Sequence, residues 1–273
     1  MNLSGNLAKM RVELTNPIHY FLPLSKNELY LNDLIGQSLT LRFTDEINCV
    51  SCHKKTRKSF NQGHCYACFR RLPQCDICIV KPEYCHYEAG TCRDEQWGEQ
   101  HCLQPHYIYL ANSSGLKVGI TRGTQIPTRW IDQGAVQALP IIEVSERLLS
   151  GLVEVELKKS LNDKTSWQKM LKGHIERLDL ESARDEVFAD NEDFLANLQQ
   201  QWGEDAIEFL HEEESLEIHY PVLEYPSKVV SFNFDKNPEV SGKLMGIKGQ
   251  YLIFDTGVIN IRKFSGYHVE VIF

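Results

Sequence analysis

The sequence contains no apolar run long enough to cross a lipid bilayer, which takes about 20 residues in a helix. The opening residues, MNLSGNLAKM, also lack the apolar core of a secretory signal peptide. Both absences predict a cytoplasmic protein with no membrane partner, in a reducing compartment where cysteines stay free of disulfides.

Proline is missing between Pro140 and Pro221, which favours helices, and apolar residues from 145 to about 215 recur at helical spacing. Residues 1–48 and residues from about 218 onward instead alternate apolar and polar side chains, as strands do. The C-terminal strands are predicted at Val229–Phe234, Tyr251–Phe254, Val258–Ile261 and His268–Val271, with a hairpin turn at 255–257. We expect an α+β fold in which the two terminal β segments pair into a small barrel or sandwich.

The net charge of −8 argues against a nucleic-acid partner only if it is spread evenly. Residues 176–217 carry 15 acidic and 2 basic side chains, which leaves the other residues at +5. A basic surface elsewhere on the molecule is therefore compatible with the acidic total, because local patches steer phosphate-bearing partners.

Four cysteines form two pairs, Cys49-x2-Cys52 and Cys65-x2-Cys68, separated by 12 residues, and no acidic residue lies between Cys49 and Cys75. Each pair can form a tight knuckle that presents two thiolates to one ion, and four thiolates in a tetrahedron suit Zn²⁺. The sequence predicts a structural zinc site here. The alternative is that some of these cysteines form disulfides or are simply buried.

Five more cysteines lie within 28 residues that are rich in proline, glycine and charge, namely Cys75, Cys78, Cys85, Cys92 and Cys102. Such a stretch has little apolar surface around which to fold, so a second zinc is predicted, with Cys75-x2-Cys78 as a third knuckle. A histidine can replace one thiolate, and the available ones are His86, His101 and His106. The alternative is free, reduced structural cysteines.

Basic residues surround the first zinc site and are predicted to contact nucleic acid: Lys54, Lys55, Arg57, Lys58, Arg70 and Arg71. The interleaved aromatic residues Phe60, Tyr66 and Phe69 are candidates for stacking on bases. Alternatively, the charges form a solvated face that balances the zinc thiolates, and the aromatic residues pack around the metal.

The central segment carries the pattern most indicative of chemistry. Residues 107–111 and 116–121 predict a β-hairpin, followed by a short helix with Arg129, an apolar strand at 139–144 and a helix with Glu154. This order resembles the GIY-YIG nuclease superfamily. Tyr109, Val118-Gly119, Arg129 and Glu154 match its motif positions, whereas Tyr107 and Lys117 stand where that family has a glycine and a tyrosine.

The resemblance implies phosphodiester cleavage with Mg²⁺ or Mn²⁺. In that scheme Tyr109 positions or deprotonates the water, Arg129 clamps the phosphate, Glu154 holds the metal, and Lys117 adds positive charge. The structural alternatives are a core tyrosine at 109, an Arg129 that pairs with Asp132 or Glu154, and a glutamate on a helix surface.

The whole chain also resembles a bacterial family known as domain of unknown function 2797. The residues that carry this resemblance are Cys49-x2-Cys52, Gly63-His64-Cys65-x2-Cys68, residues 78–83, 90–92, 117–121, 129–135 and 246–250. The predicted divisions are an N-terminal β segment (1–48), a zinc-binding region (49–104), a GIY-YIG-like domain (105–173), an acidic helical segment (174–217) and a C-terminal β segment (218–273).

The leading hypothesis is a zinc-containing nucleic-acid-binding protein with a GIY-YIG-like endonuclease centre. The alternative is a catalytically inactive adaptor that docks on RNA, a ribosome or a protein through its zinc module.

Overall fold

A computed structural model describes residues 1–161 and 166–273 and shows a mixed α+β architecture, as expected. Its strands are β1 (Asn2–Asn6), β2 (Arg11–Glu13), β3 (His19–Leu24), β4 (Asn27–Tyr30), β5 (Ser38–Asn48), β6 (Lys55–Thr56), β7 (His106–Asn112), β8 (Leu116–Arg122), β9 (Gln137–Val144), β10 (Ile207–Phe209), β11 (Leu216–Glu217), β12 (Glu239–Lys248), β13 (Tyr251–Phe254), β14 (Gly257–Asn260) and β15 (Tyr267–Ile272). Its α-helices are α1 (Tyr66–Arg71), α2 (Glu95–His101), α3 (Thr128–Asp132), α4 (Arg147–Ser160), α5 (Trp167–Lys172), α6 (Leu180–Asp190) and α7 (Glu192–Trp202). None of these helices has the length and apolar character needed to span a membrane.

The largest sheet joins the two ends of the chain, as the alternating pattern predicts. Its strands run in the order β1-β15-β5-β12-β13-β14, with β6 beside β5, and the strand pairs are antiparallel. The order is open rather than cyclic, with β1 and β14 at its ends, so of the predicted barrel or sandwich the closed barrel is wrong for the described residues.

A three-stranded sheet of β2, β3 and β4 explains why the large sheet does not close. On β3 every second side chain, from Tyr20 to Leu24, is completely buried. These residues share one hydrophobic core with Leu39 and Leu41 of β5. The small sheet therefore buries the apolar face that closure would otherwise have to cover.

The central sheet has the order β10-β9-β7-β8, with the short β11 also paired to β9. Alternate residues of β7 point to opposite faces, and both faces are buried. Tyr109 and Ala111 belong to the core of the large sheet, whereas Ile108 and Leu110 pack in a second core with residues of α4, α6 and α7. The central sheet is thus held between the terminal sheets and the helices.

The helical prediction for 145 to about 215 holds through α4–α7, although residues 162–165 of that range lie outside the described part. Helix α7 ends at Trp202, and Ile207–Phe209 then forms β10 against β9. The prediction is wrong for this last portion, because the edge of β9 offers unpaired backbone groups that β10 satisfies.

The strand predicted at Val229–Phe234 is also wrong. Ser231 makes a single parallel bridge to Val258, with Phe232 donating to the Val258 carbonyl. Phe234 is instead buried in the large core. The predicted strands at 251–254, 258–261 and 268–271 correspond to β13, β14 and β15, and residues 255–256 form the turn of the β13–β14 hairpin.

Lys248, at the end of β12, is completely buried, and its ammonium group has no hydrogen-bond partner among the described residues. The nitrogen lies 5.3 Å and 5.4 Å from the ring centres of Tyr220 and Tyr225. Burial lowers the pKa of Lys248 to about 8. The folded protein therefore carries an ammonium group that is only partly compensated by cation–π contacts.

We expect Lys248→Met to raise the free energy of unfolding at pH 7 by about 1–2 kcal/mol, because the desolvation cost, roughly 3 kcal/mol for such a shift, exceeds the lost contacts with the tyrosines. Between pH 8 and 10 the unfolded state binds more protons at this site, so the wild-type protein should become more stable as pH rises. Urea unfolding at pH 7 and pH 9 measures both effects. The exposed Lys236→Met is the control, and a loss of stability in Lys248→Met would contradict the expectation.

Candidate zinc centre and basic cleft

The structure brings Cys49, Cys52, Cys65 and Cys68 together, and their sulfur atoms all lie within 4.8 Å of one another. All four are free thiols, and the sulfurs of Cys52 and Cys65 are 3.8 Å apart. Two ligands of a tetrahedral zinc with bonds of about 2.3 Å are separated by about 3.8 Å. The cluster is therefore compatible with Zn²⁺, as the paired spacing predicts.

Local backbone geometry forms this cluster. The amide of Cys65 donates to the Cys49 sulfur over 3.2 Å, and the amide of Val50 donates to the Gly63 carbonyl. Gly63 has φ +113°, and a Cβ there would come within 2.4 Å of the Val50 side chain. Burial acts to raise the pKa of Cys49, but the backbone amides directed at its sulfur outweigh it and lower the pKa to about 6. These amides thus favour the metal-binding thiolate at Cys49, whereas burial and the neighbouring cysteines raise the pKa of Cys68.

The predicted basic residues around this centre all lie on the surface: Lys54, Lys55, Arg57, Lys58, Arg70 and Arg71. Lys55 pairs with Glu46 over 3.4 Å, which takes up part of its charge. The centre of the Phe60 ring lies 5.5 Å from that of Tyr66 and 5.8 Å from that of Phe69. Tyr66 is 58% exposed, so it is the ring of this trio that is best placed to stack on a base.

The remaining five cysteines are grouped differently from the predicted third knuckle. Cys78, Cys85, Cys92 and Cys102 line one cavity of about 10 Å³, whereas Cys75 is buried in the preceding turn and does not line it. Burial raises the pKa of Cys78 to about 11, and the nearby charges of Asp76, Cys85 and Cys102 add to the effect. The pair predicted as a third knuckle is therefore split.

Of the three candidate histidines, His86 lines this cavity. His101 stacks on Trp97, with ring centres 4.3 Å apart. His106 is completely buried in β7, where burial lowers its pKa to about 4.

In the central sheet, Tyr109 of β7 lies directly opposite Gly119 of β8. A Cβ at Gly119 would come within 2.6 Å of the Tyr109 hydroxyl, so the phenol requires a glycine across the hairpin. The hydroxyl accepts a hydrogen bond from Nε2 of Gln133 over 2.6 Å. Burial raises the pKa of Tyr109, while the charge of Arg129 acts in the opposite direction.

Beside this hairpin lies a cleft of about 470 Å³ whose wall includes Arg129 and Glu154. Tyr109 is buried and outside the wall, although the charges of both residues act on its hydroxyl. Lys117, the fourth predicted catalytic residue, lies in β8 opposite Ala111 and does not line the cleft. The wall of the cleft thus contains two of the four predicted residues, and Tyr109 lies close enough for both of them to affect its pKa.

The cleft, here called the basic cleft, is strongly positive. Among the described residues, its acidic side chains are Asp132 and Glu154, and its basic ones are Lys9, Arg122, Arg129, Arg147, Lys158 and Arg262. The balance of these formal charges is +4, which favours an anionic ligand.

Both carboxylates of the basic cleft are already paired. Glu154 Oε1 lies 3.0 Å from the Lys158 ammonium group. Asp132 is almost completely buried, forms ion pairs with Lys9 and Arg262, and accepts a hydrogen bond from Gln250 over 2.8 Å. Helix α3 therefore carries two side chains with different roles. Arg129 lines the cleft, and Asp132 connects the helix to the N-terminal and C-terminal segments through its ion pairs.

Most of the basic residues of the cleft were missed by sequence reasoning. Lys158 follows Glu154 by four residues and could have been found from helical spacing. Arg147 precedes Glu154 by seven residues on α4 and also follows helical spacing, whereas Lys9, Arg122 and Arg262 come from separate parts of the chain, so no local pattern marks these three.

The family model described as protein of unknown function (DUF2797) matches residues 36–269. The chain belongs to this family. No curated protein and no solved structure gives a significant match.

The DUF2797 match includes the four-cysteine cluster, the second cysteine-lined cavity and nearly all of the basic cleft. Lys9 and strands β1–β4 precede the matched residues. The Lys9–Asp132 ion pair therefore joins the matched part of this DUF2797 protein to the segment before it.

Proposed function

We propose that the basic cleft binds the phosphodiester backbone of a nucleic acid. The observation that supports this most directly is the excess of basic over acidic side chains on one concave wall, with Arg129 among them. Arginine forms paired hydrogen bonds to phosphate, and clustered positive charge releases counterions when a nucleic acid binds.

The proposal extends to cleavage of that backbone. The order of elements supports the GIY-YIG resemblance: a hairpin with Tyr109 and Gly119, Arg129 on α3, the strand β9, and Glu154 on α4. In this scheme Arg129 clamps the phosphate and stabilises the charge that develops on its oxygens.

Glu154 is the residue that would hold Mg²⁺ or Mn²⁺. Asp132 is committed to its own ion pairs, so Glu154 supplies one carboxylate, and Lys158 must release it first. Magnesium commonly binds through one or two carboxylates together with substrate phosphate and water, so this donor set fits the ion only when substrate is present. Such an ion would stabilise the leaving oxygen.

Tyr109 serves better as a positioning residue than as a base. Its burial raises the pKa of the phenol, which disfavours the ionised form at neutral pH. Gln133 donates to its oxygen, so the phenol proton remains available for donation. We propose that Tyr109 orients groups of the catalytic centre through this hydrogen bonding.

The zinc module would add a second contact surface. Arg57, Arg70 and Arg71 are exposed near the cysteine cluster, and Tyr66 exposes an aromatic ring beside them in the sequence. Basic side chains with an exposed ring suit a single-stranded nucleic acid, which offers both phosphates and unstacked bases.

A second candidate function is binding without cleavage. The Lys158–Glu154 ion pair and the complete burial of Tyr109 favour it, because both groups would have to rearrange for hydrolysis. The protein would then be an adaptor that docks on RNA, a ribosome or a protein partner.

The two functions can be separated with labelled single-stranded and double-stranded DNA and RNA in the presence of Mg²⁺ or Mn²⁺. We expect Arg129→Ala and Glu154→Gln each to lower the cleavage rate by about 100-fold, the usual scale for loss of one group that stabilises the transition state. Arg129→Ala should also weaken binding and reduce the slope of log K against log salt by about one.

Two variants of paired surface residues serve as matched controls. Glu156→Gln alters a glutamate two residues along α4, which points to a different side of the helix and pairs with Lys159. Arg177→Ala removes an exposed arginine paired with Glu217. Cleavage that survives both test variants would disprove the assigned site. Salt-dependent binding that requires Arg129, without cleavage under either metal, would establish the adaptor.

A further inference from the structure

Residues 49–105 contribute no side chain to any of the three hydrophobic cores of the described structure. The cluster around Cys49 accounts for the order of the first part of this stretch. The second part, from about Pro73 to Cys102, consists of short turns and the helix α2, so its fold needs another source of stability.

Three side chains in this second part converge on one point. The carboxylate of Asp76, the sulfur of Cys78 and the ring of His86 each place a ligand atom within 4.8 Å of the others. Oδ1 of Asp76 lies 3.6 Å from Nε2 of His86. Two oxygen or nitrogen ligands of a tetrahedral zinc with bonds of about 2.1 Å are separated by about 3.4 Å, so the observed spacing is close to that of a shared ion.

The Asp76 and His86 atoms that point away from this cluster contact neighbouring side chains. Nε of Arg93 forms an ion pair with Oδ2 of Asp76 over 2.5 Å, which leaves Oδ1 directed at His86. Nδ1 of His86 is hydrogen-bonded to the Thr91 hydroxyl over 2.9 Å, which leaves Nε2 facing Asp76. Outer partners of this kind fix the orientation of metal-binding histidines and carboxylates.

We propose that this cavity holds a second Zn²⁺, bound by Asp76, Cys78 and His86. A fourth ligand is available from the thiols that line the same cavity, namely Cys85, Cys92 and Cys102. The cavity volume of about 10 Å³ is that of a single small atom rather than of an organic ligand. The site thus differs from the first in combining oxygen, nitrogen and sulfur ligands.

The second site adjoins the wall of the basic cleft through the residues that follow Cys78. Ile79, Val80 and Pro82, which directly follow Cys78, line that cleft. Arg147 lines it as well and donates to the Ile79 carbonyl over 2.6 Å. An ion bound at Cys78 would therefore fix the loop that shapes one side of the cleft.

The test is a metal count on the full-length protein by native mass spectrometry. We expect two zinc ions in the wild type, one in Cys52→Ser, one in Cys78→Ser and none in the double variant. Cys75→Ser, which changes a buried cysteine three residues from Cys78, should retain two ions. A single ion in the wild type, or two in Cys78→Ser, would overturn the proposal.

A milder variant keeps the proposal testable if Cys78→Ser does not fold. His86→Gln should release its second zinc to a chelator at least tenfold faster than the wild type, while the first ion stays bound. Cobalt in the second site should show weaker sulfur-to-metal charge-transfer absorption than cobalt in the four-thiolate site, because fewer sulfurs bind it. Unchanged release from both His86→Gln and Asp76→Asn, together with four-sulfur absorption, would disprove the mixed ligand set.

Discussion

Replacing Cys52 by serine is expected to release zinc from the four-cysteine centre and to unfold residues 49–72, including the short edge strand β6, while the other strands of the three sheets stay folded. Structural zinc sites have apparent binding free energies of about 10–16 kcal/mol, and in small metal-binding modules this is the free energy of folding. These residues contribute nothing to the hydrophobic cores, so apart from the short pairing of β6 with β5 little else would hold them. Hydrogen exchange and limited proteolysis should show protection lost in this range.

The matched control for Cys52→Ser is Cys75→Ser. It removes a thiol that belongs neither to the four-cysteine cluster nor to the cysteine-lined cavity. It should leave the proteolytic pattern unchanged. A chelator added to the wild type should reproduce the loss of protection in residues 49–72, and removal of the proposed second ion should add a loss between Pro73 and Cys102. Full protection of residues 49–72 in the metal-free protein would show that the module folds without zinc.

The zinc centre could be predicted from the sequence because its ligands are local. Two residues separate the cysteines of each pair, so one tight turn fixes both thiolates, and only the meeting of two turns depends on the rest of the fold. The cavity around Cys78 could not be predicted in the same way. Its ligand atoms come from several short turns, and the spacing favoured Cys75, which the structure places elsewhere.

The cleft was only partly predictable. Arg129 and Glu154 follow a pattern of elements that the sequence displays, and the structure brings them to one wall. The charge of that wall depends on Lys9 and Arg262, which lie more than a hundred residues from Arg129 in the sequence. Pairing of the two chain ends brings these residues together. The pairing was predicted from the two β segments, but its register, which decides which side chains reach the cleft, was not.

Alternation identified most of the strands but not their arrangement. Residues 229–234 alternate as a strand does, yet they make one bridge to Val258 at the edge of the sheet. Residues 207–209 follow an acidic helical stretch but pair with β9. In both cases the available strand edge decided the outcome, and such edges appear only after the sheet has formed.

The second large effect is expected from Asp132→Asn, which should lower the free energy of unfolding by about 3 kcal/mol. Its carboxylate is only 3% exposed and is paired with Lys9 and Arg262, so the amide would leave two cations without their counter-charge. Removal of one partner from a buried pair costs about 3–5 kcal/mol, and the partial exposure of Lys9 and Arg262 places this case at the low end. Urea unfolding at neutral pH measures the change.

The Lys9→Met variant and the double variant complete a thermodynamic cycle. A coupling energy above about 1 kcal/mol would show that the pair itself, rather than either residue, joins the N-terminal segment to α3. Glu239→Gln is the control, since it breaks an exposed pair with Arg42 that should contribute less than about 1 kcal/mol. Additive losses in the Lys9–Asp132 cycle would contradict a direct contribution of the ion pair.

The same substitution separates the stability of the protein from the proposed function of its cleft. Asp132 is one of two acidic side chains on the cleft wall, so Asp132→Asn makes the basic cleft more positive while it weakens the fold. If the cleft binds phosphate, this variant should bind nucleic acid at least as tightly as the wild type at temperatures where both are folded, with a steeper dependence on salt. Weaker binding by the folded variant would show that Asp132 matters to the ligand directly, which a purely electrostatic cleft does not allow.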